Sequence, residues 1–107
     1  MLGGSIVAFH DSPPTLRVSG SEDRATQGCR NRAFTRAKRA SGDVIADLSE
    51  LDFADPSLMI DLAMLSRNLR LRNLGLRVTG ARPQIQRLIE IVGLDRLPGV
   101  TVEIAIA

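Results

Sequence analysis

Aromatic residues are nearly absent from this sequence, which has no tryptophan, no tyrosine and only three phenylalanines among its 107 residues. A hydrophobic core must therefore be built from leucine, isoleucine, valine and alanine. Proteins that recognise single-stranded RNA commonly stack the bases on aromatic side chains. The basic segment 24–39 spreads its charges over several faces of a predicted helix, which gives no continuous phosphate-binding surface. We therefore expect no direct contact with nucleic acid.

Cysteine and histidine are also scarce, since Cys29 and His10 are the only residues of their kinds. A single cysteine cannot form an internal disulfide, which is typical of proteins from a reducing cytoplasm. One cysteine and one histidine supply too few ligands for a Cys/His metal site. No glycine-rich phosphate loop follows a predicted strand, and His10 lies far from any serine in a nucleophile-elbow context. We predict no catalytic residue, no metal and no cofactor.

Long hydrophobic runs are missing as well. No stretch approaches the roughly 20 apolar residues that a membrane-spanning helix needs. Residues 1–9 lack the basic segment and the length of a signal peptide. A chain of 107 residues is long enough for one hydrophobic core. We expect a single cytoplasmic domain over residues 1–107, with no membrane span.

Charged residues are present in two segments of opposite sign. Residues 43–61 contain six acidic residues and no basic one, whereas residues 24–39 contain six basic residues and no acidic one. One interpretation is a two-signed surface whose acidic part suits a basic partner. The alternative is two separate solvated faces without a binding role. The charge pattern alone leaves both open.

Hydrophobic periodicity predicts strands alternating with helices. The predicted strands are 5–9, 15–19, 43–48, 74–79 and 100–106, and the predicted helices are 22–39, 56–72 and a third from Pro83 to a stop at Gly93. Gly20 is expected to end the second strand, and the apolar run 43–48 predicts a strand covered on both faces. The order β-β-α-β-α-β-α-β predicts an α/β domain, with a central mixed, largely parallel sheet flanked by helices.

Two predicted helices show distinct faces. In helix 22–39 a narrow face of small residues is expected to lie against the sheet: Ala25, Cys29, Ala33, Ala37 and Ala40. In helix 56–72 a stripe of leucines is expected to face the core: Leu58, Leu62, Leu65 and Leu69. Met59, Ile60, Ala63 and Met64 lie off that stripe and form a candidate partner surface. Alternatively, neighbouring elements cover some of these four residues.

The segment just before helix 56–72 carries the signals of a helix start. Asp55 is suited to the N-cap and Pro56 to the first helical position. Ser57 is then expected to be exposed at the positive end of the helix dipole, where a switch could be placed. Asp52 and Asp55 could also form a carboxylate pair for acid–base chemistry. A loop acid plus an N-cap is the simpler interpretation.

The order of several segments resembles the STAS domain of anti-sigma factor antagonists, from about residue 15 to residue 102. The segments are 16–20, 23–26, 43–51 with Phe53 and Asp55, 76–80, 85–88 and 92–95. The resemblance implies a small STAS-like α/β domain whose partner is an anti-sigma factor that is also an ATP-using serine kinase. It also implies that phosphorylation at the start of the second long helix breaks the complex and that a phosphatase restores it.

Ser57 falls on the phosphoacceptor position that the resemblance implies. The family pattern there is Asp-Ser-Ser/Thr-Gly, and this chain has Asp55-Pro56-Ser57-Leu58. We predict a partner-binding surface formed by Asp52, Asp55, Pro56, Ser57, Leu58, Met59, Ile60 and Ala63. A phosphate would add about −1.5 to −2 charges beside acidic residues, and we expect it to disrupt binding more than folding.

Two other functions remain open at this point. The same fold could bind its partner without a switch, as a constitutive antagonist or as a STAS subunit of a larger assembly such as a lipid transporter. A homodimer is also compatible with the sequence. In a different class, a small phosphotransfer or hydrolytic enzyme would use Asp52 or Asp55.

Overall fold

In the computed structural model, which describes residues 6–103, a five-stranded sheet is accompanied by three α-helices. The strands are β1 (Ile6–Asp11), β2 (Pro14–Glu22), β3 (Val44–Ala54), β4 (Leu76–Thr79) and β5 (Val100–Val102). The helices are α1 (Gln27–Lys38), α2 (Pro56–Arg70) and α3 (Pro83–Val92), with 3-10 turns at Arg24–Thr26 and Leu94–Arg96. Within this part of the chain no helix is both long and apolar enough to cross a bilayer.

The strands lie in the sheet in the same order as in the chain. β1 and β2 form an antiparallel hairpin, whereas β2, β3, β4 and β5 are parallel neighbours joined by helical crossovers. This arrangement confirms the predicted mixed, largely parallel sheet and the order β-β-α-β-α-β-α-β. The first residue of the predicted first strand and residues 104–106 of the last lie outside the described residues.

The core lies against one face of the sheet. Alternate residues along three strands are buried: Leu16 and Val18 of β2, Val44, Ala46 and Leu48 of β3, and Leu76 and Val78 of β4. Between them, Arg17 and Arg77 are exposed and Asp47 is half-buried. Arg17 forms an ion pair across the strands with its register partner Asp47, at 3.5 Å. The prediction that 43–48 is covered on both faces is therefore wrong.

β2 and β3 extend beyond their predicted ends. Gly20 does not end β2, because it adopts a left-handed conformation (φ 82°) beside a shift in the pairing register, and the strand continues to Glu22. An irregularity of this kind bends a strand without ending it. β3 likewise continues past residue 48 to Ala54, which pairs with Glu22. The two strands therefore end side by side.

Helix α1 starts later and faces the core differently than predicted. Glu22 is still in β2, and Asp23 caps a 3-10 turn in which it exchanges hydrogen bonds with Thr26. The α-helix begins only at Gln27, so Cys29 is exposed and Arg30 points inward. The inward face comprises Arg30, Ala33, Phe34 and Ala37. The small-residue face was thus right for Ala33, Ala37 and Ala40 but wrong for Ala25 and Cys29.

Helix α2 has the predicted start and leucine stripe. The Asp55 carboxylate accepts the Ser57 N–H, and Pro56 occupies the first turn. All four stripe leucines are fully buried: Leu58, Leu62, Leu65 and Leu69. Helix α3 also begins at Pro83, as predicted, and ends at Gly93, which takes the left-handed cap conformation (φ 83°).

The leucine stripe gives a test of which face of α2 stabilises the fold. Replacing buried Leu62 by alanine removes core contacts and leaves a cavity, so the free energy of unfolding should fall by about 2–5 kcal/mol. Met64, on the same helix, is 48% exposed, so Met64→Ala should change it by no more than about 0.5 kcal/mol. Urea denaturation of both variants would measure the difference. Equal losses would contradict the assigned orientation of α2.

Candidate functional site

The candidate site lies where β2 and β3 end together. The Asp55 N–H donates a hydrogen bond to the carbonyl oxygen of Glu22 at 3.0 Å, which joins the start of α2 to the end of β2. Ligands and partners of parallel sheets often bind at this carboxyl edge. The parallel pairing therefore brings together two segments that are far apart in the chain: the turn before α1 and the first turn of α2.

Ser57 is held by hydrogen bonds on two sides. Its hydroxyl donates to Asp55 Oδ1 at 2.5 Å and accepts from Arg30 Nη2 at 3.1 Å. Asp55 Oδ1 also accepts the Ser57 N–H at 2.8 Å, and its Oδ2 accepts the Arg24 N–H at 3.1 Å. Ser57 is half-buried, whereas the sequence predicted an exposed serine. The hydroxyl thus has a defined orientation at the N-terminus of α2.

The surroundings of Asp55 favour its ionised form. The hydrogen bond from the Ser57 hydroxyl is the main cause that lowers the pKa of Asp55 below its ordinary value. The backbone N–H groups of Ser57 and Arg24 and the nearby charge of Arg30 lower it further. A carboxylate that accepts several N–H bonds is stabilised in its charged form. Asp55 therefore carries a negative charge next to Ser57 at neutral pH.

Arg30 is the largest fully buried side chain at this junction, with an exposed fraction of 0%. Its Nε donates to Asp61 Oδ2 at 2.8 Å, and its Nη1 donates to Glu22 Oε1 and to the Asp23 carbonyl oxygen, both at 3.0 Å. Together with Nη2 on Ser57, these bonds join the guanidinium to β2, to the turn before α1 and to α2. Sequence reasoning missed this residue.

Two neighbouring side chains complete the network. The Thr26 hydroxyl donates to Glu22 Oε1 at 3.0 Å, and the Gln27 side-chain amide donates to Asp61 at 3.2 Å. Glu22, with 1% of its surface exposed, is therefore hydrogen-bonded by both Arg30 and Thr26. Buried carboxylates are tolerated only with such partners.

A sequence signal for Arg30 did exist, because it lies three and seven residues before the buried Ala33 and Ala37 and therefore on the same face of the helix.

The predicted partner surface is only partly exposed. Leu58 is fully buried and Met59 is 1% exposed, so both side chains belong to the core and are not available for contact with a partner. Ile60 is 59% exposed and Ala63 is half-buried. Asp52 and Pro56 are also exposed. The alternative that neighbouring elements cover some of the four off-stripe residues thus holds for Met59.

The exposed apolar surface of α2 continues onto residues after α2 in the chain, which the sequence did not indicate. A shallow groove of about 80 Å³ runs beside α2, with Met59 and Leu94 among its lining residues. The other lining residues are Ile60, Ala63, Val92 and Leu97. Val92 and Leu97 are exposed large hydrophobic residues from the end of α3 and the following turn. We call the exposed residues Ile60, Met64, Val92 and Leu97, together with Ala63, the apolar patch.

The two aspartates considered for acid–base chemistry have different partners. Asp52 is exposed and forms an ion pair with Arg82 at the start of α3. Asp55 accepts hydrogen bonds from Ser57 and Arg24. The two carboxylates share no hydrogen-bond partner in the described residues. Across residues 6–103 no group of three or more His, Cys, Asp or Glu side chains is placed to hold a metal ion.

The protein is an α/β domain in which one sheet face is open and a serine lies in the first turn of α2. The family model described as Mlab, STAS domain matches residues 5–102, nearly the whole chain. The chain therefore belongs to the STAS domain family. No curated protein matches its sequence.

Solved structures show the same fold at low sequence identity. The anti-sigma factor antagonist SpoIIAA in its unphosphorylated form superposes with a TM-score of 0.67 at 14% identity, covering 96% of this chain and 90% of that chain. The phosphorylated form of SpoIIAA, a Bacillus cell fate determinant, gives 0.64 at 13% identity, with 94% and 92% covered. A serine-to-glutamate variant of RsbS from Moorella thermoacetica gives 0.64 at 21% identity, with 95% and 87% covered.

The charge of Asp55 gives a prediction about acid stability. Asparagine at this position keeps an N-cap acceptor but removes the charge. Because the folded-state pKa is lowered, the charge contributes stability above the unfolded-state pKa of about 3.9, and this contribution is lost as the pH falls through the folded value. Asp55→Asn should therefore be less stable than the natural chain at pH 7, by about 0.5 kcal/mol.

Urea denaturation between pH 7 and pH 2 would measure this difference. The gap between the two proteins should shrink in acid, where both side chains are uncharged. Asp52→Asn is the control, since the ion pair of Asp52 with Arg82 is exposed. A gap for Asp55→Asn that stays constant down to the acid limit would contradict the role of the carboxylate charge.

Proposed function

We propose that this STAS domain is a non-enzymatic anti-sigma factor antagonist of the cytoplasm. In this proposal it binds an anti-sigma factor with serine kinase activity and thereby releases a sigma factor. Family membership and the fold shared with SpoIIAA and RsbS support the proposal. Ser57 is the phosphoacceptor, and a phosphatase would restore the unmodified state.

The observation that carries the proposal is the position of the Ser57 hydroxyl. It lies at the first turn of a helix, half-buried, and is oriented by Asp55 and Arg30. A phosphate there would place about −1.5 to −2 charges next to the ionised Asp55. A partner surface suited to the neutral hydroxyl would then meet an uncompensated charge, so phosphorylation would weaken the complex.

The departures from the family pattern are compatible with this role. Pro56 occupies a helix position that needs no N–H donor. Leu58 replaces the glycine of the pattern, but its side chain is fully buried. Its bulk therefore lies in the core and not on the surface that a kinase would contact.

The partner would contact the apolar patch and four further residues of the predicted surface, at the end of β3 and the start of α2. These residues are Asp52, Asp55, Pro56 and Ser57. Contiguous exposed hydrophobic residues often mark protein interfaces, and Met64 can adapt its side chain to a partner. A partner with apolar side chains and a few basic groups at the rim fits this composition.

A second candidate function is supported by two observations. The matching family model is described as Mlab, STAS domain, and both hydrogen-bonding sides of the Ser57 hydroxyl are already engaged inside the domain. A STAS subunit that binds a larger assembly, such as a lipid transporter, would use the same apolar patch without any modification of Ser57.

Intact-mass analysis after incubation with an anti-sigma factor kinase and ATP would separate these functions. With a cognate anti-sigma factor kinase, we expect one added phosphate on the natural chain and none on Ser57→Ala. Ser49→Ala is a matched control. Ser49 also donates through its N–H and hydroxyl to an aspartate two residues earlier, at 3.0 and 2.7 Å, but it is exposed and lies within β3. Ser49→Ala should therefore leave phosphorylation unchanged.

The experiment can exclude phosphorylation of Ser57 without excluding the binding partner. A kinase that binds the natural chain but adds no phosphate would favour the unmodified STAS subunit. Loss of the phosphate in Ser49→Ala and not in Ser57→Ala would contradict the assignment of Ser57.

Charge placed in the apolar patch should weaken binding of the same partner. Ile60→Asp puts a carboxylate on an exposed apolar position, so we expect a loss of more than about 1 kcal/mol in binding free energy, the level that marks an important interface residue. Leu71→Asp is the control, because Leu71 is also exposed but lies just beyond the other end of α2. Isothermal titration calorimetry measures both affinities. Equal affinity for Ile60→Asp and the natural chain would exclude the patch.

A further inference from the structure

Negative charges outnumber positive ones in the network around Arg30. The guanidinium contacts two carboxylates directly, Glu22 at 3.0 Å and Asp61 at 2.8 Å. A third carboxylate, Asp55, is joined to it through the Ser57 hydroxyl. One positive charge thus faces three negative charges, and these contacts include no second cation that could compensate a fourth.

The pair at the centre of this network has no access to water. Arg30 and Glu22 expose 0% and 1% of their side chains. Such a pair is tolerated because each ion compensates the other, and removing the partner of a buried charge is strongly destabilising. Any group that draws the guanidinium away from Glu22 therefore weakens the packing around it.

Ser57 is one of the half-buried residues through which this network reaches the surface. Its hydroxyl accepts from Nη2 of Arg30, and Nε of the same guanidinium donates to Asp61. Asp61 also accepts from Gln27, so the same carboxylate joins α1 to α2 twice. A negative charge at Ser57 would compete for the guanidinium with the groups that hold these two helices together.

We propose that Arg30 transmits the charge state of Ser57 to the packing of α1 against α2. An anion at Ser57 attracts the guanidinium, weakens its bonds to Glu22 and Asp61, and loosens the first turns of α1. Phosphorylation would then act on the inside of the domain as well as on the partner surface. The inference rests on the proposed function only in taking phosphate as the natural anion.

Hydrogen exchange of the isolated chain of residues 1–107 tests this coupling without kinase or partner. Ser57→Asp introduces the charge, and Ser57→Asn is its neutral control of similar size. Ser49→Asp adds the same charge in the exposed Asp-x-Ser turn formed with Asp47. The arginines that contact this turn are Arg17 and Arg82, and neither belongs to the network around Arg30. We expect exchange at the amides of residues 27–34 to become faster by at least about tenfold in Ser57→Asp and to stay unchanged in both controls.

A second variant tests whether the effect passes through Arg30. Asp61→Asn removes one of the carboxylates that compete for the guanidinium, and Asp61 is partly exposed, at 20%. The double variant Ser57→Asp/Asp61→Asn should recover slow exchange at residues 27–34, because the new carboxylate replaces the lost one. If Ser57→Asp alone fails to fold while Ser57→Asn folds, recovery of folding in the double variant is the same result.

Two outcomes would overturn the inference. Equal exchange rates at residues 27–34 in Ser57→Asp and Ser57→Asn would mean that the charge at Ser57 does not change the stability of α1. Faster exchange that Asp61→Asn does not reduce would mean that the effect bypasses Arg30. Neither outcome bears on whether a kinase modifies Ser57, and an absent phosphate in the mass experiment would leave this coupling intact.

Discussion

The buried ion pair between Arg30 and Glu22 is the constraint on which the arrangement of this domain depends. Neither ion could be buried alone without a cost of several kcal/mol. The pair therefore requires that β2 extends to Glu22 and that α1 turns Arg30 inward. Once both conditions hold, the Asp23 carbonyl, Thr26 and Asp61 complete the hydrogen bonds of the pair. The position of the Ser57 hydroxyl follows, because Arg30 is one of the two groups that orient it.

The parts of the fold that the sequence predicts well are those fixed by local interactions. Asp55 and Pro56 mark the start of α2, and Gly93 marks the end of α3, because caps and stops act within one helical turn. The lengths of β2 and β3 depend instead on pairing between distant segments across the bulge at Gly20. A glycine is read locally as a strand end, and only its pairing partner reveals that the strand continues. The uncovered face of the sheet has the same origin, since it depends on where the helices pack.

The residues of the candidate site also differ in whether local or distant interactions determine their positions. Ser57 could be located from helix-capping logic and from the family resemblance, since both depend on adjacent residues. Glu22 could not, and for Arg30 the helical spacing from Ala33 and Ala37 was only a weak signal, because charged residues are exposed in most proteins and the burial of these two depends on each other. Met59 was misplaced for a related reason. It is off the leucine stripe of α2, yet the turn at Leu94 approaches from the side and helps to cover it.

The fate of the acidic segment bears on what a partner would recognise. Ion pairs within the domain engage three of its carboxylates: Asp61 with Arg30, Asp52 with Arg82 and Asp47 with Arg17. The acidic charge is therefore partly neutralised before any partner arrives, and the apolar patch is left as the main feature beside Ser57. A neutral hydroxyl suits the edge of such a surface. A phosphate does not, because the nearest cation, Arg30, is buried and already shared between two carboxylates. The same network that orients Ser57 thus makes a charge at this position costly both for the partner and for the domain.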